Sequence, residues 1–156
     1  MSAIASHTAQ PSNATDSSRA VAVLTRVPMV SLTIVFTLIA FRYLTNPVQA
    51  ASAAGIAFTS PGGITVARVG FAGFPLAFAA FFLSCLLSQR RVLSGLRTEL
   101  ALLAIVISVR VLSMAVAHSA ETAKLLVPEV IMATLCIFAI RLEINRRKRE
   151  RLAISS

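Results

Sequence analysis

Apolar positions fall in four runs along this chain, about Val27–Phe41, Val69–Ser88, Leu100–Ala117 and Leu125–Ile140. Each run holds roughly 15–20 residues, close to the 20 that cross the hydrocarbon core of a bilayer as a helix. The pattern predicts an all-α membrane protein, a bundle of four transmembrane helices. The first and fourth runs are short, and Arg42 and Arg141 at their ends extend them by carrying their charged heads to the interface. Pro28 suits a helix start, and Asn46-Pro47 stops the first helix. The weakly apolar stretch Val48–Phe58 predicts a short helix lying on the outer surface between helices 1 and 2. Ser60-Pro61-Gly62-Gly63 is a turn before the second span.

Helical periodicity assigns faces within the runs. In the second, Phe71, Phe74, Phe78, Phe81 and Phe82 form a stripe expected to face lipid. Gly70, Gly73, Ala77 and Ala80 form a separate small-residue stripe expected to meet a neighbouring helix, because small side chains let backbones approach closely. That neighbour is either within the monomer or a second copy, which makes the Gly70/Gly73 face the candidate for homo-oligomerisation. Pro75 interrupts the span and frees the carbonyl of Phe71. In the third run Glu99, Leu103, Val106, Arg110, Ser113 and Ala117 share a face. Its outer half, small or polar from Arg110 to Ala117, is expected to turn inward. In the fourth, Glu129, Ala133, Cys136, Ile140 and Glu143 share the inward face.

Composition agrees with a membrane location. The 156 residues are 56% hydrophobic, with mean hydropathy +0.80, more than one soluble core of this size can hide. The net charge of +9 does not point to nucleic acid, because the basic residues flank the apolar runs. Eleven of the fifteen Lys and Arg lie in the N-terminal segment, the second gap and the C-terminal segment. The positive-inside rule then places both termini in the cytoplasm, as an even number of spans requires. The basic C-terminal segment also suits anionic lipid headgroups. The organisation expected is a disordered tail over 1–24, the transmembrane domain over 25–144 and a basic cytoplasmic tail over 145–156. Val48-Gln49-Ala50 offers a signal-peptidase pattern whose use would leave three spans; the long polar lead and the even span count favour retention of the first.

Chemistry is sparse. His7 and His118 cannot supply a haem or zinc site. No G-x-S-x-G is present, and Gly62-Gly63 lacks a phosphate-loop context. No cofactor or metal is implied, and the chain does not read as an enzyme. Cys85 and Cys136 both fall within spans, where structural burial is expected. Glu99 at the inner edge beside Arg97 reads as solvated or ion-paired.

Four basic residues depart from the charge pattern: Arg42, Arg68, Arg110 and Lys124. Arg110 lies deepest, about 15 Å from the inner edge of its run at helical rise, and Glu129 lies about 6 Å from the outer edge of its own. Charges at such depth are costly and mark candidate sites. Arg110 and Glu129 are expected to pair, since a short turn makes spans three and four antiparallel neighbours. Arg42, Arg68, Arg110 and Glu129 are expected to converge in the outer half as a polar cluster with excess positive charge. Such a cluster suits an anionic lipid headgroup, a small anion or a partner helix.

The region from Phe41 to Glu143 resembles a family of small four-helix bacterial inner-membrane proteins grouped as a domain of unknown function. The likeness lies in Arg42-x-Leu44-x-Asn46-Pro47, Arg68-x-Gly70, the V-R-V-L around Arg110 and Pro128-Glu129. It implies a multi-pass protein of the bacterial inner membrane and adds no catalytic residues. Two functions are expected from the whole: a non-enzymatic binding protein acting through the outer cluster, or a small proton-coupled transporter or exporter subunit in which Glu99 or Glu129 carries the coupling.

Overall fold

The computed structural model describes residues 20–118 and 123–155. Their regular structure is helical: α1 (Val27–Thr45), α2 (Pro47–Ser52), α3 (Pro61–Arg68), a π-helical segment (Val69–Gly73), α4 (Phe74–Leu86), α5 (Val92–Ala117), a 3₁₀ turn (Ala123–Leu125) and α6 (Leu126–Ser155). Four helical stretches are long and apolar enough to cross a membrane: Ala20–Thr45, Pro61–Leu86, Val92–Ala117 and Ala123–Leu152. The expected tail over 1–24 lies outside the described residues except for 20–24, which are helical. The expected C-terminal tail is helical too, since α6 runs on without a break to Ser155.

Local chemistry accounts for the boundaries. Pro28, Pro47 and Pro61 each stand at the start of a helix, where the missing N–H is no loss and φ is already set. Ser60 caps α3, its Oγ accepting from the Gly63 N–H at 3.3 Å. Of the short helix expected over Val48–Phe58, the structure forms α2 over Pro47–Ser52, and residues 53–58 are not helical. His118 ends α5 at φ 47°, its N–H donating to the Met114 carbonyl.

The second span is one continuous helix with an irregular centre. The Phe74 N–H donates to the Val69 carbonyl, five residues back. The widened turn accommodates Pro75, whose ring would otherwise collide with the Phe71 carbonyl. A one-residue widening rotates everything before it by about 100° relative to an ideal helix.

The face assignments of the second span need correction. Its buried residues are Ala67, Ala72, Ala79, Phe82 and Cys85. The Phe stripe does not face lipid as a unit. Phe82 is fully buried, whereas Phe71, Phe74, Phe78 and Phe81 stay exposed. Phe36 of α1 packs on Phe78 and Phe82 at ring-centroid distances of 5.8 and 6.4 Å. Among the described residues the Gly70/Gly73 stripe meets no helix: a Cβ at either glycine would find nothing within 4 Å. Ala72 and Ala79 are the small residues that are buried, as is Ala40 of α1.

All four spans meet in one core made of Met29, Leu32, Phe82, Cys85, Val92, Leu96, Cys136 and Ala139. It lies toward the end that carries Arg90, Arg97 and Arg147, hereafter the basic end. The tightest approach is at Gly95, where a Cβ would come 2.5 Å from Met29 Sδ and 2.9 Å from Cys85 Cβ. Both cysteines are buried free thiols, and Cys136 Sγ donates to the Leu96 carbonyl at 3.1 Å. The buried residues of α5 are Val92, Gly95, Leu96, Glu99 and Leu103, all in its first half. Ser113 and Ala117, expected to turn inward, are exposed. The helices therefore close at the basic end. Beyond it an apolar groove of about 520 Å³ runs between the second and third spans, lined by Phe36, Phe74, Pro75, Phe78, Ala101 and Ile105 among others.

Candidate functional site

The four residues expected to converge divide into two sites. Arg110 on α5 and Glu129 on the first turn of α6 form a bidentate pair. Arg110 Nε donates to Oε2 at 2.9 Å and to Oε1 at 3.1 Å, and Nη2 donates to Oε1 at 2.5 Å. The pair is partly exposed, with side-chain exposures of 22% and 16%. It forms because the short connection sets α5 and α6 side by side with matching depths. Glu129 also stands near the positive N-terminal end of α6.

Arg42 and Arg68 lie apart from that pair. Among the described residues no hydrogen bond or ion pair joins either of them to Arg110 or Glu129. They flank α2 instead. Arg68 lines a cleft of about 490 Å³ with Thr45, Asn46, Gln49, Ser52 and Ile64. Arg42 lines a smaller pocket that shares Thr45, Asn46 and Gln49. Among the described residues neither cleft is lined by an acidic side chain. The Asn46-Pro47 break brings this about. It ends α1 just past Arg42 and folds α2 back, and α3 then returns Arg68 to the same side. Each guanidinium thus lines a pocket that also holds Asn46 and Gln49, a donor set suited to phosphate or carboxylate oxygens.

The basic end holds a second set of charges. Glu143 is 1% exposed and is held by two arginines one turn on. Arg146 Nε and Nη2 donate to it at 3.0 and 2.9 Å, and Arg147 Nε at 2.8 Å. The same arginines reach the loop between the second and third spans. Arg147 Nη2 donates to the carbonyls of Gln89 and Arg90 at 2.9 and 3.3 Å, and Arg146 Nη1 to Gln89 Oε1 at 3.3 Å. The E-x-x-R-R spacing of Glu143, Arg146 and Arg147 carries this signal in the sequence, because residues three and four apart share a helix face. The contact to Gln89 is not readable there.

Glu99 departs most from expectation. It is neither solvated nor paired with Arg97: it is 0% exposed, and neither carboxyl oxygen has a hydrogen-bond partner. Arg97 lies on the exposed side of the same helix. Among the described residues no group of three or more His, Cys, Asp or Glu side chains is placed to hold a metal ion. No protein-family profile, curated protein or solved structure matches this chain.

Proposed function

We propose that the chain is a non-enzymatic, multi-pass protein of the bacterial inner membrane, a four-helix bundle with both termini cytoplasmic, that binds an anionic group at the α2 cleft. One observation carries the reading. Arg68 and Arg42 line two polar pockets that share Thr45, Asn46 and Gln49 and hold no carboxylate among the described residues, while Glu129, the acidic residue expected beside them, is committed to Arg110. On the positive-inside orientation the cleft lies at the outer surface, level with lipid phosphates. The ligand chemistry is a phosphate or carboxylate, carried on a headgroup or free in solution. Thermal unfolding in nanodiscs tests it, since a ligand that binds only the folded state raises the midpoint. Phosphatidylglycerol in a phosphatidylcholine disc should raise the midpoint for the native chain, and Arg42→Gln with Arg68→Gln should abolish the rise. A rise with inorganic phosphate in purely zwitterionic discs would identify a free anion instead. No rise with either ligand, or an undiminished rise in the double variant, defeats the reading.

The second reading, a small proton-coupled transporter, is favoured by the isolated carboxyl of Glu99. Proteoliposomes loaded with a pH-sensitive dye and given a pH gradient decide it: flux lost in Glu99→Gln supports it, and no flux with cationic or anionic test substrates retires it.

A further inference from the structure

The seven-residue step from Val92 places Glu99 about 10 Å along α5 from its basic end. It stands one turn beyond the Gly95 contact, where Met29 and Cys85 close on the helix. Leu96 and Leu103, a turn to either side on the same helix, are buried as well. The ionisable groups in this core are the thiols of Cys85 on α4 and Cys136 on α6, and Cys136 reaches the carbonyl of Leu96, one turn from Glu99. Arg26 at the start of α1 has a buried Nε without a partner, yet no ion pair joins it to Glu99. Glu143 on α6 is already neutralised by Arg146 and Arg147. Among the described residues nothing on the packed helices therefore compensates a negative charge at Glu99.

An isolated carboxylate cannot remain ionised in such a place, since desolvation of the charged form far exceeds that of the neutral acid. The neutral acid costs far less there, because it carries no net charge and only one O–H donor beside weakly accepting oxygens. We propose that Glu99 is a proton-binding site and that its occupancy is linked to the closure of the basic end. With the proton bound, Met29, Cys85 and Gly95 seal the core. Loss of the proton leaves a charge that only water can stabilise, so the seal opens toward the basic end, the nearer aqueous surface. The proton leaves as hydronium to that phase and returns from it, and no other bond changes. This inference is independent of the α2 cleft and holds whether or not a substrate is carried.

The test uses the full chain in nanodiscs, with Cys85→Ser so that Cys136 is the remaining thiol. Infrared difference spectra against Glu99→Gln should show the carbonyl stretch of a protonated carboxyl group at neutral pH, lost on raising pH. The rate of Cys136 alkylation by a small neutral reagent should rise with pH several-fold more steeply when Glu99 is present than in Glu99→Gln. The glutamine variant supplies the ordinary thiol dependence. Parallel pH profiles in the two chains, or a carboxylate band at neutral pH, overturn the proposal. Glu99→Leu keeps the test decisive if the glutamine variant fails to fold, and carboxyl carbon resonances of labelled native protein report the proton directly.

Discussion

Arg110 meets Glu129 with its Nε and Nη2 edge, so one guanidinium satisfies both carboxylate oxygens of the neighbouring helix. Side chains lean toward the N-terminus of their helix. In antiparallel neighbours Arg110 and Glu129 therefore lean in opposite directions along the membrane normal, and the length of arginine closes the gap. Lysine would present a single donor point and no fork.

The pair should behave as a unit. Arg110→Leu and Glu129→Leu should each destabilise the protein, because each leaves a charge in a low-dielectric setting. The double variant should be less damaged than the sum of the two, with a coupling of roughly 0.5–3 kcal/mol. Reversible unfolding in mixed micelles measures it. Additive single effects would mean that the contact contributes nothing. Arg110→Lys should recover only part of the coupling.

Gly95 is irreplaceable for a different reason. Alanine would place a methyl group 2.5 Å from Met29 Sδ and 2.9 Å from Cys85 Cβ. Overpacking of this kind costs about 1–3 kcal/mol. Gly95→Ala should lower the melting temperature, and Met29→Ala should relieve part of the loss in the Gly95→Ala background although it is harmful alone. Gly73→Ala, with open space around it, should be neutral by the same measurement.

What was legible in the sequence follows from which interactions are local. The four spans are set by composition over some twenty residues, and the short link between α5 and α6 makes the Arg110–Glu129 pairing readable from depth alone. Phe78, Phe81 and Phe82 lie on one regular stretch of α4, so a helical wheel puts them on one stripe and does not tell that Phe82, at its edge, is the one the neighbouring helices bury. Glu99 is visible in the sequence as an ionisable group at the edge of a span, but its burial without a partner is not. Its isolation is the absence of partners on three other helices, and no local pattern encodes an absence.

At the basic end the order of damage should invert the intuitive one. Removing Glu143 frees two arginines that reach water, so Glu143→Gln should be mild. Replacing Arg146 and Arg147 together with alanine strands a carboxylate that is 1% exposed. Uncompensated buried charge of this kind costs up to about 3–5 kcal/mol. The arginine double variant should therefore unfold well below Glu143→Gln in a thermal scan, and adding Glu143→Gln to it should restore stability. If the triple variant is no better than the double, the arginines matter through the Gln89 and Arg90 contacts and not through the carboxylate.

The π segment makes a prediction about deletion. A π turn is an α-helix with one residue to spare. Deleting Gly73 removes the extra residue and lets the chain pass into α4 with regular hydrogen bonds. Arg68 then keeps its place at the α2 cleft while Phe82 keeps its place in the core. Deleting Ala80, which is exposed and equally small, removes a residue from a regular stretch. It turns Phe82 and Cys85 by about 100° relative to Arg68. The first deletion should yield a folded, monodisperse protein with helix content close to native. The second should lose folded yield in detergent, since no rotation satisfies both the core at the basic end and the packing of Ala67 and Ala72. Equal tolerance of the two deletions would show that the segment carries no phase information. Reduced anion binding with intact folding in the Gly73 deletion would show instead that the widened turn is what aims Arg68 at its cleft.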